Sequence, residues 1–249
     1  MKHTKNSPYQ PGLVSDVSQQ RQHSAMSTKR RAAPEDPFET ANSKTDEQFI
    51  ADYLQPDWIT EWTHPQSGAK YAISLRRAAY MGEDNISACF NLIKETSQKD
   101  YENSSTKWRP EKKLAEMRSP ELRYVLVRDE SDDVRGFTSL MPTFEEGQPV
   151  VYCYEIHLKP ELQGTGLASL LMDLHTTVAR NLPPITKVML TCFVGNKRGL
   201  AFYRKLGFEE DAISPVPRKL RFGKIKIPDY AILSKRVHAD REKGVLEAP

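Results

Sequence analysis

A chain of 249 residues with 36 Lys plus Arg against 33 Asp plus Glu has a net charge of +3, too near neutral to imply a nucleic-acid surface by itself. Three widely spaced cysteines (Cys89, Cys153, Cys192) argue against a disulfide framework and a zinc site, and fit a reducing compartment. No run of ~18 apolar residues occurs and no apolar signal core opens the chain, which weighs against membrane spanning and secretion.

Residues 1–42 are rich in Ser, Gln, Pro and Lys and poor in branched apolar residues, so a disordered basic segment is expected there. Lys29-Arg30-Arg31 inside it reads as a solvated charge run, or as part of a nuclear-localisation signal. Residues 43–69 form an expected helical extension: Phe49, Ile50, Tyr53 and Leu54 share one helical face, which Pro56 ends. Residues 70–237 carry the main domain, and 238–249 a polar tail.

Within the main domain a strand is predicted around Tyr71–Leu75, then a helix capped by Asp84 with Ile86, Cys89, Phe90 and Ile93 inward. A short helix follows over Trp108–Met117, with Pro110 in its first turn. Tyr124–Val127 and Val134–Leu140 read as a hairpin across the polar turn at Asp129–Asp133. Val150–Leu158 is the next strand, followed by a glycine loop and a helix. Val188–Phe193, a helix over Gly199–Leu206 and a strand over Tyr230–Leu233 complete an α/β order with hairpins early and crossovers late.

The loop Gln163-Gly164-Thr165-Gly166-Leu167-Ala168 is the strongest chemical signal. A strand, a glycine turn and a helix start aim unpaired backbone N–H groups at one point, with the positive end of the helix dipole behind them. No Gly-Lys-Ser/Thr ending and no third glycine follow, so the loop is neither a Walker nor a Rossmann fingerprint.

On the preceding strand, strict alternation places Tyr152 and Tyr154 on one face and Cys153 and Glu155 on the other. A carboxylate in an apolar strand is costly unless paired or facing a cleft. Glu155 therefore reads as a general base, direct or through one water, or as a salt-bridged structural residue. Cys153 and Cys192 lack a His-Asp or His-Asn partner pattern and read as buried structural cysteines.

The spacing Gln163-x-x-Gly166-x-Ala168, with Asn196, Ala201, Tyr203 and Gly207-Phe208 downstream, resembles the GCN5-related N-acetyltransferase superfamily. Tyr152-Cys153-Tyr154-Glu155, Val188-Met189-Leu190-Thr191 and Asp229–Arg236 narrow the resemblance to its NatD-type N-terminal acetyltransferases, over roughly Ser43–Arg236. The resemblance implies the GCN5-related N-acetyltransferase fold: a central mixed, mostly antiparallel sheet flanked by helices, with the extension packed on it. It also implies acetyl-CoA as co-substrate, held by Leu158, Gln163, Gly164, Thr165, Gly166, Leu167, Ala168, Asn196 and Tyr203.

The implied catalytic residues are Glu155, Tyr203 and Tyr154, with Tyr203 as proton donor to the departing thiol; animal members carry phenylalanine where Tyr203 stands. The implied substrate is the α-amino group of histone H4 and of the A-type of histone H2, both beginning Ser-Gly-Arg-Gly. Tyr101, Trp108, Tyr152, Tyr154 and Tyr230 are the expected channel, and Glu145 and Glu146 the expected acidic contact for the serine end and arginine. A monomer in nucleus and cytoplasm, with no direct nucleic-acid requirement and no membrane, completes the expectation. Transfer to lysine or a small amine, and a silent acyl-CoA-binding module, are the alternatives on the same fold.

Overall fold

The computed structural model describes residues 37–219, 221–223 and 225–237. The expectations for residues 1–36, including Lys29-Arg30-Arg31, and for the tail at 238–249 lie outside the described residues. The chain runs α1 (Pro37–Ser43), α2 (Asp46–Phe49, continued by a π-turn over Ile50–Leu54), β1 (Glu61–Thr63), β2 (Lys70–Arg77), α3 (Glu83–Asn103) and α4 (Pro110–Met117). It continues with β3 (Arg123–Arg128), β4 (Val134–Glu145), β5 (Gln148–Leu158), α5 (Leu167–Asn181), β6 (Lys187–Phe193) and α6 (Lys197–Lys205). The last elements are β7 (Glu209–Glu210), β8 (Arg218–Lys219), β9 (Ile225–Lys226) and β10 (Tyr230–Arg236).

An eight-stranded sheet has the order β1-β2-β3-β4-β5-β6-β10-β7, and β8-β9 form a separate ribbon. Every pair in the large sheet is antiparallel except β5 with β6, which the crossover helix α5 makes parallel. Both faces are covered, so the central strands β3 and β4 are almost continuously buried. On one face Val125, Val127 and Leu140 pack with Leu167, Leu171 and Leu174 of α5 and with Phe49 and Leu54. On the other, Tyr124, Leu126 and Phe137 pack with Ile86, Cys89 and Ile93 of α3 and Met117 of α4.

The extension differs from its expected limits. Ordered helix begins at Pro37, inside the segment expected to be disordered, because Phe38 and Ala41 share a face one turn apart and are buried in the core. Polar neighbours hide that pair from a composition reading. The extension is also not wholly helical: Glu61–Thr63 pairs with Lys70–Ala72 as an edge strand. The helix expected to be capped by Asp84 starts at Glu83, with Gly82 as N-cap. Among the described residues no helix is long and apolar enough to cross a membrane.

Candidate active site

Two irregularities open a cleft in the middle of the sheet. β5 and β6 pair only from Val150↔Lys187 to Cys153↔Leu190, and beyond that point they part. Between β4 and β5 the register shifts: Ser139 faces Glu155 while Leu140 faces Cys153. Two steps on β5 thus match one on β4, and Tyr154 is the extra residue of a β-bulge. The bulge overturns the expected alternation. Cys153 packs on the α5 side, whereas Glu155 turns to the α3/α4 side shared by Tyr152 and Tyr154.

The cleft holds a cavity of ≈ 520 Å3 whose wall runs from Tyr101 and Lys113 through β5 to Gln163, Gly164 and Ala168, and back along Asn196 and Tyr203 of the α6 region. At the α3/α4 end Glu155 is locked in place. Its Oε1 accepts a hydrogen bond from Lys113 Nζ at 2.7 Å, and its Oε2 lies 2.5 Å from His157 Nε2. Lys113 Nζ also reaches Glu116 Oε1 at 2.7 Å and sits 5.3 Å from the centre of the Tyr101 ring. His157 Nδ1 lies 2.6 Å from Thr96 Oγ1, which also donates to Leu92 O at 2.8 Å.

Burial pushes the Glu155 pKa up, but Lys113 and His157 outweigh it and hold the carboxyl at about 2. Burial also opposes the charge on Lys113, yet Glu155 and Glu116 together raise its pKa well above the ordinary value. Glu116, desolvated and beside Glu155, is raised despite Lys113. A pair so enclosed is costly to assemble, and losing one partner strands a buried charge.

At the opposite end the loop is built around two left-handed glycines, Gly164 at φ +78 and Gly166 at φ +93, with open space where a Cβ would stand. Gly166 O accepts from the amides of Ser169 and Leu170. The amides of Gly164, Gly166 and Ala168 meet no acceptor among the described residues and lie at the positive end of α5. Gln163 braces the loop, its Nε2 donating to Leu158 O at 3.0 Å while its Oε1 accepts from Arg198 at 3.0 Å. This is a cradle for an anionic, extended ligand.

Tyr203 forms the floor, with its ring 5.2 Å from Phe202 and 5.8 Å from Phe208. Burial, with Cys153, Cys192 and Glu155 nearby, raises its pKa well above the usual phenol value, so it stays protonated. Burial likewise pushes the Cys153 and Cys192 thiols up to about 12, which removes them as nucleophiles.

Of the expected site residues, Glu155, Tyr203, Tyr154, Tyr152, Tyr101, Leu158, Gln163, Gly164, Ala168 and Asn196 meet in this one cavity. Asn196 also caps α6, its Oδ1 accepting from Gly199 N at 2.8 Å. Thr165 donates to Leu162 O, and the Leu167 side chain is buried in the core, so these two reach the loop through their backbone. Trp108 does not line the cavity: it stacks on Phe90 and braces Tyr101, with ring centres 5.6 and 5.4 Å away. Tyr230 is buried with Val150, Met189 and Ile232 behind Tyr152, so it is no gate in this conformation.

Glu145 and Glu146 are also misplaced. They lie at the tip of the β4–β5 hairpin, where Glu145 faces Gln148 and Glu146 takes φ +47 in the turn. That tip is roughly 13 Å along the strand from Tyr152, at ~3.3 Å per residue.

The sequence reading missed Lys113, Glu116, His157 and Arg198. Lys113 stands one helical turn before Met117 on the inward stripe of α4, an odd place for a lysine unless it is paired. Lys197 and Arg198 open α6, whose first turn holds no acid, and a helix N-terminus disfavours cations unless an anion is near. His157 left no usable signal, because the bulge that aligns it with Glu155 is invisible in the sequence.

The acetyltransferase (GNAT) family profile matches residues 86–208. The chain is 32% identical over 160 residues to N-alpha-acetyltransferase 40 of Saccharomyces cerevisiae, covering 55% of this chain and 55% of the yeast protein. It thus spans about half the length of that relative. Among solved structures, an acetyltransferase from Streptococcus agalactiae 2603 shares 14% identity at a TM-score of 0.49, over 66% of this chain and 98% of that one. A GNAT superfamily phosphinothricin acetyltransferase from Sinorhizobium meliloti, solved with AcCoA, shares 17% at a TM-score of 0.47, over 66% and 88%. The parted β5 and β6 and the glycine loop at the start of α5 lie inside the stretch 86–208 that the profile matches, which identifies that stretch as an acetyltransferase (GNAT) domain.

Proposed function

We propose that this protein transfers acetyl from acetyl-CoA to the N-terminal α-amino group of a protein, by direct attack of the amine. The observation that carries the reading is one cavity joining an anion cradle at Gly164–Ala168 to a carboxylate that is a weak base. With both carboxylate oxygens engaged by Lys113 and His157, Glu155 is a weak base for a lysine ammonium of pKa ~10.4, whereas an α-amine at ~7.7–8.0 is already partly neutral at physiological pH. The acceptor this site suits is therefore the less basic amine, which favours α-amine over side-chain transfer.

The glycine-loop amides and Arg198 suit the diphosphate of acetyl-CoA, which supplies the reactive thioester. Past Cys153 no register pair joins β5 to β6 among the described residues, so that edge of β5 faces the cavity, where backbone N–H groups would stabilise a developing oxyanion. Glu155 orients the incoming amine, whose proton leaves through water, and Tyr203 gives its proton to the departing sulfur. With the thiols neutral and buried, no covalent enzyme intermediate is needed.

The substrate proposed is the Ser-Gly-Arg-Gly terminus of histone H4 and the A-type of histone H2, reached in nucleus and cytoplasm. The resemblance carried by the run Tyr152–Glu155 supports it, and the similarity to the yeast N-alpha-acetyltransferase 40 supports an α-amine acceptor. The distant position of Glu145 and Glu146 removes them as direct contacts at the amine. Mass spectrometry on a free-amine Ser-Gly-Arg-Gly peptide extended to include a lysine, and on the same peptide with a blocked terminus, tests the reading. Acetylation of the free terminus alone is expected; equal transfer to both peptides sinks the α-amine assignment.

A further inference from the structure

We propose that Lys113 is a positioning residue for the reaction: its ammonium, clamped between Glu116 and Glu155, keeps Glu155 ionised and aimed into the cavity. The inference rests on the acetyl-transfer reading only for the kinetic consequence. The charge arrangement itself is geometric. Lys113 Nζ stands 2.7 Å from both carboxylates, and the side chains of Lys113, Glu155 and Glu116 are 7%, 10% and 14% exposed.

All the groups facing Glu155 point to the same assignment. From α4 come Lys113 and Glu116, from α3 Tyr101 and from β5 itself His157, while the Tyr124 and Tyr203 phenols and the Cys153 thiol, the last on the opposite face of β5, lie within electrostatic reach. Lys113 is the one ammonium or guanidinium among them. Glu116 is a second acid with no direct bond to Glu155, so its effect on that carboxylate passes through the shared ammonium. The same lysine lies over the Tyr101 ring, which ties α3 to the charge pair. One side chain thus couples two helices to the carboxylate of the central bulge.

The test is a titration of the full chain, without substrate, labelled with 13C at glutamate side-chain carboxyls. The Glu155 resonance is identified by its loss in E155Q. In the wild type it is expected to stay flat between about pH 5 and about pH 9. K113M alone strands two buried carboxylates and is expected to unfold, so the K113M/E116Q double variant, which removes one charge of each sign, carries the test.

In that variant Glu155 should titrate inside the window. The kcat for the free-amine peptide should fall ~10²-fold with KM little changed, as for a misplaced catalytic group. K113R should restore a flat resonance. A Glu155 signal that stays flat in the double variant overturns the proposal. A wild type that fails to acetylate the peptide while Glu155 titrates as described overturns the function reading and leaves this one standing.

Discussion

Arg123 on β3 and Asp46 at the start of α2 form a 2.7 Å ion pair whose guanidinium is completely buried. The same guanidinium lies 4.2 Å from the centre of the Phe49 ring and donates to Lys44 O, so one side chain pins the extension to the sheet. Asp46→Ala would leave the guanidinium buried without its anion, a loss of about 3–5 kcal/mol. Urea denaturation should show it, and limited proteolysis should cut near residue 45 first. Unchanged stability would mean that the extension docks through Phe38, Ala41, Phe49 and Leu54 alone.

The glycine loop makes a sharper prediction about binding than about stability. Gly166→Ala forces a Cβ into φ +93, at a cost of about 1–2 kcal/mol, with no clash to add to it. Gly166→Asp adds a carboxylate beside the free amides, where phosphate is expected, and like-charge repulsion should abolish acetyl-CoA binding. Calorimetry separates the two: tight binding by the aspartate variant would refute the placement of the diphosphate.

Tyr203→Phe keeps the ring contacts with Phe202 and Phe208 and removes only the hydroxyl. If that hydroxyl protonates the departing thiol, kcat should drop by ~10²-fold while KM for acetyl-CoA moves little. Steady-state kinetics at neutral pH decide it. An unchanged kcat would leave the leaving group to solvent.

Stability should fall as the medium turns mildly acidic, and His175 is the reason. Burial lowers its pKa from the ordinary 6.5 to about 4, against the opposing hydrogen bonds to Leu171 and Ser139. The unfolded chain takes up a proton below pH 6.5 that the folded chain refuses. This contribution is therefore complete above 6.5 and is lost as pH falls towards 4, up to about 3 kcal/mol in all. Urea midpoints at about pH 7 and about pH 5 should differ in the wild type and converge in His175→Gln. The carboxylate of Glu155 weakens only lower, between 4.5 and about 2, so the two effects are separable.

Much of the site was legible because its parts are local. Gln163–Ala168 announces a strand, a turn and a helix start within a few residues, and Gly164 and Gly166 do take the left-handed angles such a turn requires. Glu155 stands out as an acid in an apolar strand. The hairpins and late crossovers also followed from periodicity, since alternation and helical stripes are properties of neighbouring residues.

What failed was long-range. Trp108 and Tyr230 are aromatic residues whose type suits a channel equally well from its wall or from behind it, and packing put both behind. The tip at Glu145 and Glu146 is fixed by hairpin register, which carries it away from the cavity.

The sequence by itself carried the acetyltransferase resemblance, the order of elements and the glycine loop, because each depends on residue types at short fixed spacings. The tertiary structure alone decided which way Glu155 faces and what it meets there. One extra residue in β5, Tyr154, reverses the strand's alternation after Cys153 and delivers Glu155 to Lys113 and His157. A β-bulge depends on the register of two strands and not on the composition of one, so only the folded sheet could reveal it.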